Sequence, residues 1–209
     1  MLLVPYYTVQ NGNMTVLHVV NTDTVHGKAV KVRFRGAANS DDVMDFQVFL
    51  SPGDVWTGAV AANGTDGATL VSADNTCTVP ALTKGVAVPF GTSRLAGYLS
   101  DDDKKNQTRE GYVEIFNMAD IVDATSTTDL FTRIKHVNGV APCTTATLDL
   151  LKTDTTGGVQ NGAAAAPVTD TATGKGLTFP SGRLMANWTI IDTVKTATFS
   201  GAAVAVRAN

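Results

Sequence analysis

Two segments alternate apolar and polar residues almost without a fault, and that leaves the chain few ways to fold. Over residues 28–35, Val30, Val32 and Phe34 take one side while Lys31, Arg33 and Arg35 take the other. Over residues 45–50, Phe46, Val48 and Leu50 repeat the pattern, with Phe49 a less regular member of the opposite side. Successive side chains of a strand point to opposite faces, so this pattern describes a sheet with one buried and one wet surface. Ser51-Pro-Gly-Asp54 supplies a turn, and residues 55–60 resume as another strand. The class is antiparallel β.

Four Asn-Gly pairs, at 11–12, 63–64, 138–139 and 161–162, punctuate the chain. Both residues tolerate positive φ, which a tight hairpin turn requires. The first pair predicts an N-terminal hairpin of residues 2–9 with 14–21. The second predicts a hairpin of 55–62 with 68–73. Residues 2–73 thus read as about six strands in a meander. Residues 79–90 contain two prolines and read as one or two short extended pieces, 100–108 as a charged exposed loop, and 111–117 as a further alternating strand. Residues 127–137 carry a helical pattern, with Thr127 or Thr128 as cap, Leu130, Ile134 and Val137 on one face, and Asn138-Gly139 as a left-handed stop. A second short helix is expected from 143 to 151. Residues 187–194 and 202–207 close the chain as strands.

The expected architecture is mainly β: one antiparallel β-sandwich domain over 1–209, of jelly-roll or immunoglobulin-like type. It carries a small helical insertion around 127–151, bounded at 120–152, and an ordered Gly-, Ala- and Thr-rich excursion at 153–176. Apolar residues form 44% of the chain, enough for such a core, whereas charged residues form only 17%. Surfaces built from Thr and Asn rather than Glu and Lys suit an extracellular β-protein. The net charge of −3 and the lack of a basic stripe with interleaved aromatics argue against a nucleic-acid groove. No apolar run approaches the roughly 20 residues of a spanning helix. The first strand follows Met1 directly, which in this composition reads as a mature or recombinant chain without its leader.

Sequence motifs for chemistry are scarce. His18, His26 and His136 lack metal-ligand spacing, and no nucleophile elbow, phosphate loop or dinucleotide fingerprint occurs. The acidic groups Asp41-Asp42 with Asp45, and Asp101-Asp102-Asp103, read as solvated loops rather than cation sites. Asp54, Glu110 and Glu114 are conceivable carboxylates for hydrolysis, but nothing in the sequence pairs them. No catalytic residue, metal ligand or cofactor is therefore expected. Among the aromatics that could stack on a sugar (Tyr6, Tyr7, Trp56, Tyr98, Tyr112 and Trp188), both tryptophans lie in apolar strands and read as core. Tyr6 and Tyr7 are neighbours on opposite faces, so one of them is available to a partner. Cys77 and Cys143 are open to two readings, a disulfide between loops or two buried thiols, and a secreted chain favours the disulfide.

Several segments resemble, as a set, a family of secreted Gram-negative bacterial proteins designated cell surface proteins. They are Pro5-Tyr-Tyr-Thr8, Val19-Val-Asn-Thr22, residues 27–35, Asn39-Ser40, Asp45-Phe46, Leu50-Ser-Pro-Gly-Asp-Val-Trp-Thr57, Asn75-Thr-Cys-Thr-Val-Pro80, Thr108-Arg-Glu-Gly-Tyr-Val-Glu114 and Asn187-Trp-Thr189. The resemblance implies an exported chain with a cleaved leader, an added Met1, a chain that usually continues past the equivalent of Asn209, and an oxidised Cys77–Cys143 pair. It carries over no catalytic residue. The expected function is a non-catalytic extracellular structural protein, a cell-surface or filament subunit whose strand-like ends invite self-association by strand addition. The alternative is a carbohydrate-binding or adhesive module that uses exposed aromatics on a glycan.

Overall fold

The protein is described by a computed structural model covering residues 1–123, 130–143 and 177–207. Two antiparallel sheets pack face to face, as the alternation requires. Strands β1 (Leu2–Thr8), β3 (Gly27–Gly36), β4 (Asp42–Leu50) and β7 (Cys77–Val79) belong to one sheet, with β9 (Glu110–Ile121), β10 (Leu177–Thr178) and β13 (Val204–Ala205). Its order is β13-β1-β9-β3-β4-β7, with β10 also on β9. The second sheet runs β12 (Ala197–Ala202), β11 (Leu184–Asp192), β2 (Asn13–Asn21), β5 (Val55–Ala62), β6 (Ala68–Val71), β8 (Val88–Pro89). Among the described residues the α-helices are α1 (Asp101–Gln107) and α2 (Leu130–Ile134), with a short 3-10 turn at Gln10–Gly12.

The core between the sheets holds the residues that the alternation selected. Val30, Val32, Phe34, Phe46, Val48 and Leu50 are buried there with Trp56, Tyr7 and Ile115. Each such side chain contributes about 1.5–3 kcal/mol by burial. Tyr7, Phe34 and Phe90 meet edge-on or tilted at centroid distances of 5.1–5.9 Å. On the outer face of the first sheet, Lys31 pairs with Asp45, Arg33 and Arg94 with Asp42, and Arg35 with Glu114. The acidic residues near 41–45 thus serve as partners for the basic side of β3.

Phe49 opens a second core. It packs with Ala29, Cys77, Ala119, Ile121, Leu130 and Ile134 beneath α2, on the face opposite the sandwich interior. Its irregularity in the sequence is the mark of a strand buried on both sides. The Cys77–Cys143 disulfide, with Cα atoms 5.3 Å apart, ties β7 to the chain just beyond α2. Cys77 starts a strand rather than lying in a loop.

Several expectations need correction. Residues 2–9 and 14–21 do not form a hairpin: β1 and β2 lie in different sheets, and Asn11-Gly12, both at positive φ, turns the chain from one sheet to the other. The six strands of residues 2–73 are likewise not a meander, because β1, β3 and β4 alternate between sheets with β2, β5 and β6. Only β3–β4 and β5–β6 pair consecutively among them, the latter around Asn63-Gly64 as expected. Residues 101–107 form a helix, not a loop: Ser100 Oγ accepts the Asp103 N–H, and three aspartates occupy the positive first turn. Within the described residues α2 ends at Ile134, so Val137 is exposed rather than on the buried face. Asn138-Gly139, at φ 54° and 78°, instead closes a bridge between Val137 and Val140. The cap at 127–129, the second helix and the excursion at 153–176 fall outside the described residues, except for the 143 end of that helix. The C-terminal segment turns back, and β13 pairs with Leu2 and Leu3 of β1.

Candidate functional site

Two places gather chemistry that the sequence keeps apart. The first lies at one end of the sandwich. A register shift where β9 passes β3 pairs Ala29 with Ala119 but Val30 with Asn117, leaving Met118 as an extra residue. The bulge reverses the phase of β9 beyond it. Asp120 consequently turns to the same side as its register partner Lys28, while Ala119 and Ile121 join the second core.

Lys28 is fully buried. Its Nζ donates to Asp120 Oδ1 at 2.6 Å, to Asp23 Oδ2 at 3.1 Å and to Ser181 Oγ at 3.1 Å. Ser181 donates its hydroxyl and backbone N–H to Asp120 Oδ2. Asp23 Oδ1 accepts the N–H groups of Val25 and His26, and His26 Nδ1 lies 3.3 Å from Oδ2. Burial pushes the Asp23 carboxyl upward, but the Val25 and His26 N–H groups, Lys28 and the His26 ring outweigh it and hold it well below the usual carboxylate range. Asp23, His26 and Asp120 are close enough to ligate a cation. The Lys28 ammonium already stands between the two carboxylates and supplies the charge that a metal would bring.

The second place is an open groove of about 690 Å³ where β1 faces the β11–β12 hairpin. Tyr6, Trp188, Ile190 and Phe199 give it an apolar lining, and Glu110, Asp192, Lys195, Gln10 and Asn13 surround them. A register shift between Val4 and Tyr7 lets Tyr6 face outward at 40% exposure while Tyr7 is buried, its hydroxyl donating to the Thr108 carbonyl. The Tyr6 hydroxyl donates to Glu110 Oε2 at 2.7 Å. The Trp188 ring lies over Gly201 on the neighbouring strand, where a Cβ would come within 2.8 Å of it. Any larger residue at 201 would lift the indole. The Lys195 N–H holds the Asp192 carboxyl below its ordinary range.

Trp56 is buried in the core as expected, whereas Trp188 is only half-buried and serves core and groove together. Tyr98, the most exposed aromatic ring at 87%, and Tyr112 do not line the groove. Asp54 accepts the Ser51 and Val55 N–H groups and lies 3.5 Å from His136. Glu114 is engaged by Arg35. The three conceivable hydrolytic carboxylates are thus dispersed, and Glu110 alone of them lines the groove. The sequence reading missed this cluster because Asp120 and Ser181 lie 92 and 153 positions from Lys28, and the nearby Asp23 sits in a loop without a motif. A faint signal was present, for Lys28 has the parity of Val30 and Val32 and belongs by alternation to the buried side.

Comparison with protein-family models, with curated proteins and with solved structures gave no match. The fold therefore defines the protein by class alone: an antiparallel β-sandwich with one disulfide. No helix among the described residues is long and apolar enough to cross a membrane.

Proposed function

We propose that the chain is a non-catalytic extracellular structural protein, a cell-surface or filament subunit that joins copies of itself by strand addition. The observation that carries this reading is the free edge of the six-stranded sheet. β12 reads Ala-Thr-Phe-Ser-Gly-Ala, without charge or proline, and among the described residues it pairs on one side only, with β11. Phe199 on it is 60% exposed. Natural sheets guard such edges with lysine, proline or bulges, because unpaired N–H and C=O groups template another strand. Of the two strand-like ends, residues 2–8 are enclosed because β1 lies between β9 and β13, whereas β13 itself pairs with β1 alone among the described residues. The disulfide is compatible with an oxidising compartment. Sedimentation over a wide concentration range tests the reading. Multimers are expected, and Thr198→Pro or Phe199→Lys on the edge should disperse them. A wild-type chain that stays monomeric at high concentration would exclude it.

A second reading, a glycan-binding or adhesive module, is favoured by the groove itself. Tyr6, Trp188 and Phe199 offer apolar ring faces beside carboxylate, ammonium and amide groups that can hydrogen-bond hydroxyls. Binding to a glycan array, weakened at least tenfold by Phe199→Ala or Tyr6→Ala, is the expected result on that reading. Equal binding by wild type and both variants would remove the groove from consideration.

A further inference from the structure

We propose that Lys28 and Asp120 are joined by an intramolecular isopeptide bond between the ε-amine of the lysine and the β-carboxyl of the aspartate. The two residues are direct register partners on β3 and β9, neighbouring strands inside the larger sheet. Nζ stands 2.6 Å from Asp120 Oδ1, and both side chains are almost wholly shielded from water. A second carboxylate, Asp23, lies 3.1 Å from the same nitrogen. The inference is independent of the assembly and glycan readings.

Geometry and burial act together here. The ladder holds the nitrogen against one carboxyl group, which replaces a bimolecular encounter by an intramolecular one. Burial keeps water, the competing nucleophile at Cγ, away from the pair. A proton passes from Lys28 Nζ to Asp120 Oδ1, leaving an amine and a carboxylic acid. The nitrogen lone pair attacks Cγ and forms the C–N bond. Asp23 accepts a second proton from the nitrogen and delivers it to the hydroxyl on Cγ, and the C–O bond breaks as water departs. Lys28 ammonium and Asp120 carboxylate thus become one amide and one water, without an oxidant or other co-reactant. Ser181 donates its hydroxyl and N–H to Oδ2, where negative charge develops in the tetrahedral intermediate. The Val25 and His26 N–H groups fix Asp23 in position.

The experiment is the intact mass of the folded wild-type chain, followed by proteolytic mapping. The expected mass is about 18 Da below that of the disulfide-bonded sequence, with one branched peptide linking the Lys28 and Asp120 segments. Lys28→Arg should restore the full mass. Asp120→Asn should lose about 17 Da instead, because ammonia leaves in place of water. A succinimide at Asp66-Gly67 would also cost one water, but it would persist in Lys28→Arg and map to that dipeptide. A wild-type chain of full mass overturns the proposal, as does a loss that survives Lys28→Arg.

Discussion

Replacing Lys28 with alanine is expected to lower the unfolding free energy by about 3–5 kcal/mol. Whether Lys28 is present as the ammonium or as the amide to Asp120, the substitution leaves Asp23 and Asp120 as buried carboxylates without the nitrogen that lies between them. Their mutual repulsion is not relieved by solvent at that depth. Lys31→Ala on the same strand is the matched control. Its ion pair with Asp45 is partly exposed, and such pairs contribute about 0–1 kcal/mol. Denaturant titration of the two variants reads the difference directly. A Lys28→Ala loss no larger than that of Lys31→Ala would mean that water reaches the cluster and that its burial is not maintained in solution.

Removing the disulfide is expected to cost a comparable amount by a different route. Cys77 and Cys143 are 66 residues apart, and closing a loop of that length restricts the unfolded chain by about 4 kcal/mol on the chain-entropy account. With a urea slope of about 2 kcal/mol/M, the midpoint should fall by about 2 M on reduction or in the Cys77→Ala/Cys143→Ala variant. The loosening should begin beneath α2, where Leu130 and Ile134 cover Ala29, Phe49 and Ile121. Coincident oxidised and reduced curves would show that this second core holds without the crosslink.

Much of this arrangement is legible in the chain. The alternation of β3 and β4 assigns Val30, Val32, Phe34, Phe46, Val48 and Leu50 to the interior, because a period of two is a property of the strand itself. Asn63-Gly64 marks its hairpin, although the loop spans residues 63–67 and it is Gly64 and Gly67 that take positive φ there. The adjacency of Tyr6 and Tyr7 divides them between solvent and core. Asn11-Gly12 looks the same in sequence yet turns the chain between sheets, since a tight turn does not record which strand the outgoing chain will meet. The Ser100 cap and its aspartates were open to a local reading as a helix start, and their charge disguised it as a loop.

The sequence alone determined the strands, the faces they bury and the β class, because backbone geometry imposes a short period that neighbouring residues carry among themselves. Only the tertiary structure decided which sheet each strand joined, that Phe49 covers a second core, and that β12 is an edge strand among the described residues. It alone brought Asp23, Lys28, Asp120 and Ser181 within hydrogen-bonding distance. Those outcomes depend on pairings between residues as far apart as Leu2 and Ala205 and on one extra residue in β9. A single-residue shift of that kind reverses which face every later side chain occupies, and no local pattern encodes where the partner strand will impose it.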